Sequence, residues 1–564
     1  MKVLTFLAAA ALGFALVPAA QAAVAAYPSS QTIMPSGPLP PDGGTKLVLN
    51  TARYETEDGL IVVAGARTVS VALDASGLAP LGVQLLWGHY VSFGAKSVPD
   101  ALLPWDGSAK SSERPNQPIW IQVTVPPEAK PGVYAATISV TADGKVTTVP
   151  LSVKVFNVML PAPGTAIGNL LTSFNVTPEA YLNTVDSLYG LKAGWRFLAA
   201  NQLLFGFLSR YRITPSSWGY GDPKVATGYT TSPKWWLNAA DAMTSLMSAT
   251  QGFAAMWVPI SNNRWSPHDY VGGLSPYEPE RWCGYLGAVR SFWVDRGWLT
   301  TNVPYVFGMD EPGLSGEKVV ARQAAVVHRC FPGAKVLMTG NPSPKGVTDF
   351  LLKGDSRLDI WAVLGNRFYG EFTVPKQQKA GTSRARVKYD AIQKARAAGS
   401  QIWSYNYAGT GTPGFLATEP LSDPRMFMLW NALEGLQGVL YNEGLAVYRG
   451  GNPFTAVDRD GAYVLLYPGP SGPIPSARLE QIRDGIEDWA IYNMIRVRKG
   501  LGAVRAILGG AGLFSADSSG VKLACTVGCQ LKGSQPFSWP LWSQDATTPR
   551  RIEAAKLAAL QAAS

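Results

Sequence analysis

The stretch NVPYVFGMDEPG, residues 302–313 of this 564-residue chain, decides the fold that we predict. Its first half, Val303–Gly308, is apolar and aromatic, which predicts a buried strand. The strand ends at the adjacent acids Asp310 and Glu311, and the Pro312-Gly313 pair stops it from continuing. Locally, two interpretations of the acids stay open: a cap for the following helix, or a pair of catalytic carboxylates.

This strand is the fourth of eight apolar segments that alternate with helical patterns beyond a chain break at Pro161–Gly164. The predicted strands are Ala166–Phe174, Gln202–Leu208, Ala254–Ile260, Val303–Gly308, Lys335–Thr339, Leu358–Leu364, Gln401–Tyr405 and Gly438–Tyr441. The predicted helices are Pro178–Ala200, Pro233–Thr250, Pro276–Arg296, Ser315–Cys330, Val347–Leu352, Ser383–Ala398, Asp423–Leu433 and Ser476–Arg498. Eight such units predict a TIM-type (β/α)8 barrel over residues 164–500, with its chemistry at the carboxyl ends of the strands.

Short β-branched or alternating segments, separated by turn signals, precede the barrel. They are Lys46–Asn50, Val69–Leu73, Val83–Trp87, Ile119–Val125, Val133–Thr141 and Thr147–Val155. Strands of this length and spacing predict a β-sandwich domain over residues 45–160. Residues 23–44, rich in Ala, Pro, Ser and Gly, predict a linker, and residues 501–564 predict a C-terminal appendage that packs on the barrel.

The first 22 residues have the features of a secretory signal peptide. Lys2 supplies the positive start, Val3–Val17 the apolar run, and Ala20–Ala22 the small-x-small cleavage site. The apolar run is too short for a membrane span, and no later stretch qualifies as one. We therefore expect a secreted or periplasmic protein without a transmembrane segment.

Four cysteines occur in a chain that we expect to fold in an oxidising compartment. Cys525 and Cys529 lie in the short sequence CTVGC and predict a local disulfide. Cys283 is predicted in the first turn of one barrel helix and Cys330 in the last turn of the next. Parallel neighbouring helices would hold them roughly 20 Å apart, at about 1.5 Å of rise per residue, so we expect both thiols to be free.

Composition and motifs argue against several function classes. The net charge of +10 comes from scattered residues without a long basic run, so an acidic glycan or anionic cell surface is a better partner than nucleic acid. The three histidines, His89, His268 and His328, are far apart, and no H-x-x-x-H or G-x-S-x-G sequence occurs. No Walker A or G-x-G-x-x-G sequence opens a βα unit. We therefore predict neither a metal nor a cofactor.

Amide, aromatic and acidic side chains recur at seven of the predicted strand ends. Amides can hydrogen-bond the hydroxyl groups of a sugar, and aromatic rings stack on its apolar face. Any single one of these residues is equally consistent with ordinary turn chemistry, but their coincidence at one rim indicates a site for a neutral sugar. The predicted substrate-binding residues are Trp257, Asn262, Asn341, Tyr369, Trp403, Tyr405, Tyr441 and Asn442.

Adjacent acids at one strand end favour a particular glycosidase mechanism. Most glycosidases place two carboxyl groups on either side of the anomeric carbon, about 5–5.5 Å or about 6.5–9.5 Å apart, which sequence neighbours are poorly placed to do. Substrate assistance, in which the sugar's own 2-acetamido oxygen is the nucleophile, suits an adjacent pair. In this assignment Asp310 orients the acetamido N–H and Glu311 is the general acid and base.

Four motifs carry a resemblance to a known family: PPEAKPGVY at Pro126–Tyr134, GMDEP at Gly308–Pro312, LLYPG at Leu465–Gly469 and RLEQIRDGIEDW at Arg478–Trp489. From about Lys46 to Arg498 the chain resembles glycoside hydrolase family 123 and the related proteins whose similar catalytic domain is of unknown function. The resemblance implies a retaining β-N-acetylgalactosaminidase in which Asp310 and Glu311 act through the neighbouring acetamido group. The Arg478–Trp489 helix is expected to support the barrel, because it is the last barrel helix.

Three functions are compatible with these features. The first is an exported retaining glycoside hydrolase that acts on β-linked N-acetylhexosamine, with N-acetylgalactosamine favoured. The second is an endo-acting hydrolase of an exopolysaccharide that uses the same acids in an open groove. The third is a non-catalytic glycan-binding surface protein, which would bind without turnover and tolerate changes at Glu311.

Overall fold

A computed structural model describes most of the chain. The described residues are 22–176, 178–190, 197–216, 233–258, 279–340, 343–365, 368, 390–406, 413–441, 452–455, 459–514 and 545–564. The expected signal peptide, apart from Ala22, and the expected Cys525–Cys529 disulfide lie outside these residues. Within the described ranges, no helix is long and apolar enough to cross a membrane.

The N-terminal part of the chain, residues 22–160, forms a sheet domain. Its strands are β1 (Ala23–Pro28), β2 (Leu47–Arg53), β3 (Glu55–Ala64), β4 (Thr68–Asp74), β5 (Gly82–Phe93), β6 (Lys96–Trp105), β7 (Lys110–Ser111), β8 (Asn116–Val125), β9 (Gly132–Ala142) and β10 (Lys145–Met159). They make two five-stranded sheets, in the orders β1-β3-β8-β5-β6 and β2-β10-β9-β4-β7. Alternate side chains of both sheets, such as Ile121 and Val153, share one apolar core.

Two features of the sheet domain differ from the prediction. The segment expected to be a linker begins with β1, which pairs antiparallel with β3 along its whole length. Strands β3, β6 and β7 were not predicted. β3 opens with Glu55, Glu57 and Asp58, which are buried in the structure, although such a run of acids in a sequence is typical of an exposed turn.

The second part of the chain contains a nearly closed barrel of parallel strands. Its strands are β11 (Leu171–Phe174), β12 (Ala255–Trp257), β13 (Val303–Met309), β14 (Lys335–Thr339), β15 (Ile360–Leu364), β16 (Gln401–Asn406) and β17 (Gly438–Tyr441). They pair in the order β11-β17-β16-β15-β14-β13-β12. A two-stranded hairpin, β18 (Leu466–Tyr467) and β19 (Ile474–Pro475), follows the last barrel strand.

Helices surround the barrel and cover its outer apolar face. They are α1 (Pro178–Tyr189), α2 (Phe197–Arg210), α3 (Pro233–Ser248), α4 (Pro279–Asp295), α5 (Leu314–Cys330), α6 (Pro344–Asp349), α7 (390–397), α8 (Asp423–Glu434), α9 (Ala477–Lys499), α10 (Leu501–Gly510) and α11 (Thr548–Ala563). The last two belong to the predicted appendage. Leu508 of α10 and Leu560 of α11 are buried in the same core as the barrel helices.

The predicted second strand is wrong, and the described residues contain seven parallel strands instead of eight. Residues Gln202–Leu208 lie inside α2, because a short apolar run such as LLFGFL is compatible with either a buried strand or a buried helix. Residues 213–216 take the place beside β11. The Phe174 N–H donates to the Thr214 carbonyl at 2.9 Å, and the Ser216 N–H donates to the Phe174 carbonyl at 2.9 Å.

Helix α9 connects the barrel to the sheet domain, and 17 of its 23 residues are buried. Its charged side chains reach β3 and α11. We call this buried cluster the interdomain seam. It comprises the bases Arg212, Arg425, Arg483 and Lys556 and the acids Glu55, Glu57, Asp58, Glu480, Asp484, Glu487, Asp488 and Glu553.

The expectation of free thiols at Cys283 and Cys330 is wrong, because these residues form a disulfide with a Cα–Cα distance of 4.8 Å. Trp293, near the other end of α4, packs edge-on against Phe331 with ring centroids 5.9 Å apart. Both ends of α4 therefore lie near the C-terminal end of α5. The prediction assumed that the two helices lie parallel and in register, and these contacts contradict that register.

Candidate active site

A change in the alternation of side chains along β13 points Asp310 into the barrel. Tyr305 and Phe307 belong to the core inside the barrel, whereas Met309 packs on the outer core beneath the helices. The side-chain alternation thus changes between Phe307 and Met309, where the pairing of β13 with β14 shifts register. Gly308 permits this bulge, since a Cβ there would lie 3.1 Å from the Leu337 carbonyl oxygen.

Thr339, the last residue of β14, binds both members of the acid pair. Its hydroxyl donates to Asp310 Oδ1 at 2.6 Å and accepts from the Glu311 N–H at 2.8 Å. Glu311 adopts a left-handed conformation, with φ of 40°, which is unfavourable for a residue with a side chain. The neighbouring Gly340 packs against this turn, because a Cβ at that position would lie 3.2 Å from Glu311 Cα.

The helix-cap interpretation of Asp310 is not supported by the geometry. Helix α5 begins at Leu314, and its N-cap is Gly313, which makes no side-chain cap hydrogen bond. The carboxylate of Asp310 is instead bound by Thr339. Both Asp310 and Glu311 are exposed at the carboxyl end of the strand, where a ligand can reach them.

Tyr405, near the end of β16, contacts Glu311 from across the barrel mouth. Its hydroxyl donates to Glu311 Oε1, and the ring is almost entirely buried. Two residues earlier on the same strand, Trp403 packs edge-on against Tyr305 with ring centroids 5.8 Å apart. The Tyr305 hydroxyl in turn donates to Ser173 Oγ at 2.6 Å. This aromatic layer closes the barrel below the acids and gives Tyr405 a rigid base.

Glu317, in the first turn of α5, binds Ser343 in the segment that follows β14. Its side chain is buried, and its carboxylate accepts hydrogen bonds from the Ser343 N–H at 2.7 Å and from the Ser343 hydroxyl. Burial raises the pKa of Glu317, and the Ser343 hydrogen bonds oppose that rise. The contact ties the segment that leaves β14 to the helix that follows the acids.

The predicted substrate-binding residues have different positions in the structure. Tyr405 reaches Glu311, and Trp257 lies half-buried at the end of β12. Asn262, Asn341, Tyr369 and Asn442 lie outside the described residues.

Trp403 and Tyr441 are placed differently from the prediction. Trp403 is fully buried below the mouth, and its Nε1 donates to Gln401 Oε1 at 3.1 Å. Tyr441 points outward, where its ring packs against Phe174 and Phe415 and its hydroxyl donates to the Ala462 carbonyl. Neither ring faces the acids, because the first lies one layer too deep and the second is on the outer side of its strand.

Three contributors to the site were not predicted: Thr339, Gly340 and Glu317. Thr339 was predicted as the last residue of its strand, so its position at the rim was available from the sequence. Its partners were not, because they depend on the bulge at Gly308. Among the residues that the structure describes, no group of three or more His, Cys, Asp or Glu side chains could hold a metal ion.

The arrangement offers two carboxyl groups with different surroundings at one strand end. Asp310 is fixed through one oxygen by a hydroxyl donor, which leaves the other oxygen to accept from a ligand N–H. The Glu311 carboxyl accepts a hydrogen bond from the Tyr405 hydroxyl, and a carboxyl group in this position can give or take a proton. Such a pair can orient an amide while transferring a proton to a neighbouring atom.

Two models of one protein family match the chain. Residues 87–142 match the Glycoside hydrolase 123 N-terminal domain, and residues 262–495 match the Glycoside hydrolase 123, catalytic domain. Together they span just over half of the chain, and the second includes Asp310, Glu311, Thr339 and Tyr405. No protein of curated function matches the sequence.

Solved structures match the chain to different degrees. A family 123 glycoside hydrolase from Clostridium perfringens, studied for glycolipid glycan hydrolysis, has a TM-score of 0.62 at 13% identity, over 96% of this chain and 99% of that one. At this identity the similarity shows a common fold. A Bacteroides ovatus GH5 xyloglucanase has a TM-score of 0.31 at 11% identity, over 78% of this chain and 98% of that one, which is too low to support an argument.

Proposed function

Because the chain belongs to the glycoside hydrolase 123 family, we propose that it is a retaining β-N-acetylhexosaminidase that works by substrate assistance, with N-acetylgalactosamine as the favoured sugar. One observation carries the mechanism. Asp310 and Glu311 are sequence neighbours at one strand end, each held by a separate hydroxyl donor. Such a pair is poorly placed to flank a sugar ring from both faces, so the nucleophile has to come from elsewhere, and a 2-acetamido group supplies it.

In the first step, the Asp310 carboxylate accepts a hydrogen bond from the acetamido N–H and stabilises the positive charge that develops there. The acetamido oxygen attacks the anomeric carbon as the glycosidic bond breaks. Glu311, protonated, gives its proton to the departing oxygen. Tyr405 holds Glu311 Oε1 and so orients the carboxyl group that transfers the proton.

In the second step, the Glu311 carboxylate takes a proton from water, and the resulting hydroxide attacks the anomeric carbon from the face that the leaving group occupied. The oxazoline ring, which formed when the acetamido oxygen attacked the anomeric carbon, opens and the acetamido group is regenerated. Two inversions at the same carbon give net retention. Glu311 ends the cycle protonated, ready for another turnover.

The decisive experiment compares aryl β-glycosides of 2-acetamido sugars with the matching 2-hydroxy sugars. The proposal predicts cleavage of the acetamido substrates only, with the β-anomer as the first product seen by NMR. Asp310→Asn should lower kcat by roughly 100-fold or more, as expected when charge stabilisation of a transition state is lost. Equal rates on acetamido and 2-hydroxy substrates would contradict the mechanism.

The natural substrate is proposed to be a glycan of a glycoconjugate, in line with the glycolipid glycans that concern the Clostridium perfringens relative. Digests of glycolipid headgroups and of exopolysaccharides, resolved by product size, separate the alternatives. Release of single sugars supports an exo-acting enzyme. Oligosaccharide products would instead support the endo-acting hydrolase, and binding without turnover would support a glycan-binding protein.

We further propose that the protein is exported. The pattern of residues 1–22 supports this, as does the Cys283–Cys330 disulfide, because structural disulfides persist chiefly in oxidising compartments. Mass spectrometry of the protein from a bacterial expression host should find a mature chain that begins near Ala23 in the periplasmic or culture fraction. An intact N-terminus in the cytoplasmic fraction would contradict export.

A further inference from the structure

We infer that Thr339 is the positioning residue of the acid pair and that turnover depends on its hydroxyl group. The inference rests on the proposed function, since it assigns Thr339 a role through Asp310 and Glu311. Thr339 itself has no proton-transfer role here. It would set the direction in which both acids face the sugar.

The hydrogen-bond geometry defines what the hydroxyl does. A threonine hydroxyl has one proton and two lone pairs, and the Glu311 backbone N–H can only donate. Since Thr339 Oγ1 accepts from that N–H at 2.8 Å, its own proton is available for Asp310 Oδ1 at 2.6 Å. The single hydroxyl therefore orients the Asp310 side chain and the Glu311 backbone at the same time.

The position of Thr339 in the barrel makes this contact specific. Thr339 is buried and lies two residues after Leu337, so its side chain points to the barrel interior. Asp310 faces the same way only because of the bulge at Gly308. A donor on the interior face of β14 thus meets a carboxylate that the bulge has redirected.

The backbone of Glu311 gives the hydroxyl a second task. A left-handed turn at a non-glycine residue persists only where its surroundings enforce it. Here the surroundings are the hydrogen bond to Thr339 and the close packing of Gly340. Without the hydroxyl, the Glu311 N–H would lose this partner and the Glu311 side chain would lose its fixed starting direction.

The consequence for the substrate concerns the plane of the Asp310 carboxylate. With Oδ1 held by Thr339, the carboxylate cannot turn freely, and Oδ2 is the oxygen left to meet the acetamido N–H. A fixed carboxylate holds the acetamido oxygen in line with the anomeric carbon. Small misplacements of such groups can cost roughly 100-fold in rate.

Three single variants test the inference. Thr339→Val removes the hydroxyl and keeps the shape of the side chain, and Thr339→Ser keeps the hydroxyl. Thr172→Val is the matched control, since Thr172 is a buried barrel threonine whose hydroxyl donates to the Arg212 carbonyl at 3.0 Å and accepts from the Thr214 N–H at 2.8 Å. Thermal unfolding of each variant shows how much folded enzyme is present.

We expect Thr339→Val to lower kcat on an activated aryl acetamido glycoside by about 10- to 100-fold, with KM changed by less than about threefold. Thr339→Ser should recover most of this activity. Thr172→Val should reduce thermal stability and leave kcat per folded molecule unchanged. A Thr339→Val enzyme that keeps its kcat would overturn the inference.

A double-mutant cycle with Asp310→Asn separates positioning from a merely structural role. Thr339→Val should cost at least about threefold less in the Asp310→Asn background than in the unchanged enzyme, because the part of its effect that passes through Asp310 is already lost. The same loss in both backgrounds overturns the inference. If Asp310→Asn alone is fully active, the proposed function fails instead, and Thr339 is then judged by the loss in Thr339→Val and its recovery in Thr339→Ser.

Discussion

The acids at the barrel mouth and the acids of the interdomain seam have opposite surroundings. Asp310 and Glu311 are exposed, and hydroxyl groups of Thr339 and Tyr405 hold them. The seam contains eight acids, nearly all of them buried, and its partners are arginine and lysine side chains. The mouth has fewer charges, but a substrate can reach them.

Arg425 shows how the seam is built. Its side chain is completely buried, and its Nε lies 2.7 Å from Asp488, while its Nη1 lies 3.5 Å from Glu57 and 3.6 Å from Asp484. Burial acts to lower the pKa of Arg425, but the attraction of Asp488 and Asp484 raises it. Lys556 of α11 similarly binds Glu55 at 2.7 Å, so the C-terminal helix closes the cluster.

The surplus of acids distinguishes the seam further. Four bases face eight carboxyl groups, and burial raises the pKa values of Glu480, Asp484 and Glu487. Strongly perturbed pKa values are often taken as a sign of catalysis. Here they mark a structural contact, because these groups have no access to a ligand at the mouth. The accessible pair, held in a defined geometry, is the better indicator of chemistry.

Glu311→Gln is the strongest test of the difference between the mouth acids and the seam acids. We expect kcat to fall by at least about 10³-fold, because the variant has no group to protonate the leaving oxygen or to activate water. The free energy of unfolding should change by less than about 0.5 kcal/mol, as is usual for an exposed residue. Steady-state kinetics and denaturant unfolding check both statements. Retained activity would show that the mouth acids are not the catalytic pair.

Arg425→Met tests the seam. Removing one partner of a buried ion pair leaves uncompensated carboxylates, which typically costs about 3–5 kcal/mol. We expect a loss of that size in the free energy of unfolding, with kcat per folded molecule unchanged. Denaturant unfolding and active-site titration separate the two quantities. A selective loss of kcat in a stable variant would mean that the seam takes part in the reaction.

Glu317→Gln lies between the two extremes, because Glu317 is buried like a seam acid but supports the mouth. The amide can accept only one of the two hydrogen bonds from Ser343, so we expect stability to fall by about 1–2 kcal/mol. Activity should fall by about 3- to 10-fold, because the segment with Gly340 packs less firmly against Glu311. Ser343→Ala should lower both quantities in the same proportion. If only stability fell, Glu317 would have a purely structural role, like the acids of the seam.

The last expected effect is on the pH dependence of stability and leaves activity aside. Glu480 has a raised pKa in the folded protein, so between its usual value of 4.5 and the raised value the folded state binds more protons than the unfolded state. Stability from this group is therefore present at low pH and is lost as the pH rises through neutrality, by at most about 1.4 kcal/mol per pH unit. Glu480→Gln should flatten that slope in unfolding titrations from pH 5 to 8, whereas an unchanged slope would contradict the prediction.

The sequence was most informative where one local pattern determined the result. β13 and β14 follow from apolar runs bounded by turn residues, and the Asp310-Glu311 turn follows from the acids and the Pro-Gly pair. Helix α9 follows from apolar residues at helical spacing. These elements contain their own start and stop signals, so tertiary contacts did not need to be known.

Elements that depend on distant partners could not be predicted. The acids of β3 are buried only because the bases of the seam neutralise them. The Cys283–Cys330 pair depends on how α4 packs against α5. The partners of Thr339 depend on the phase change at Gly308, and the apolar run in α2 has no local signal that separates a strand from a buried helix.

The burial of α9 limits how the sheet domain or the barrel can be replaced by the corresponding domain of a relative. The helix belongs to the barrel by position in the chain, yet its charged side chains find their partners on the sheet domain, as in the 3.1 Å contact between Arg483 and Asp58. A barrel expressed alone would expose these charges and lose their partners. In a chimera that combines domains from different relatives, β3, α9 and α11 would thus have to come from the same parent protein.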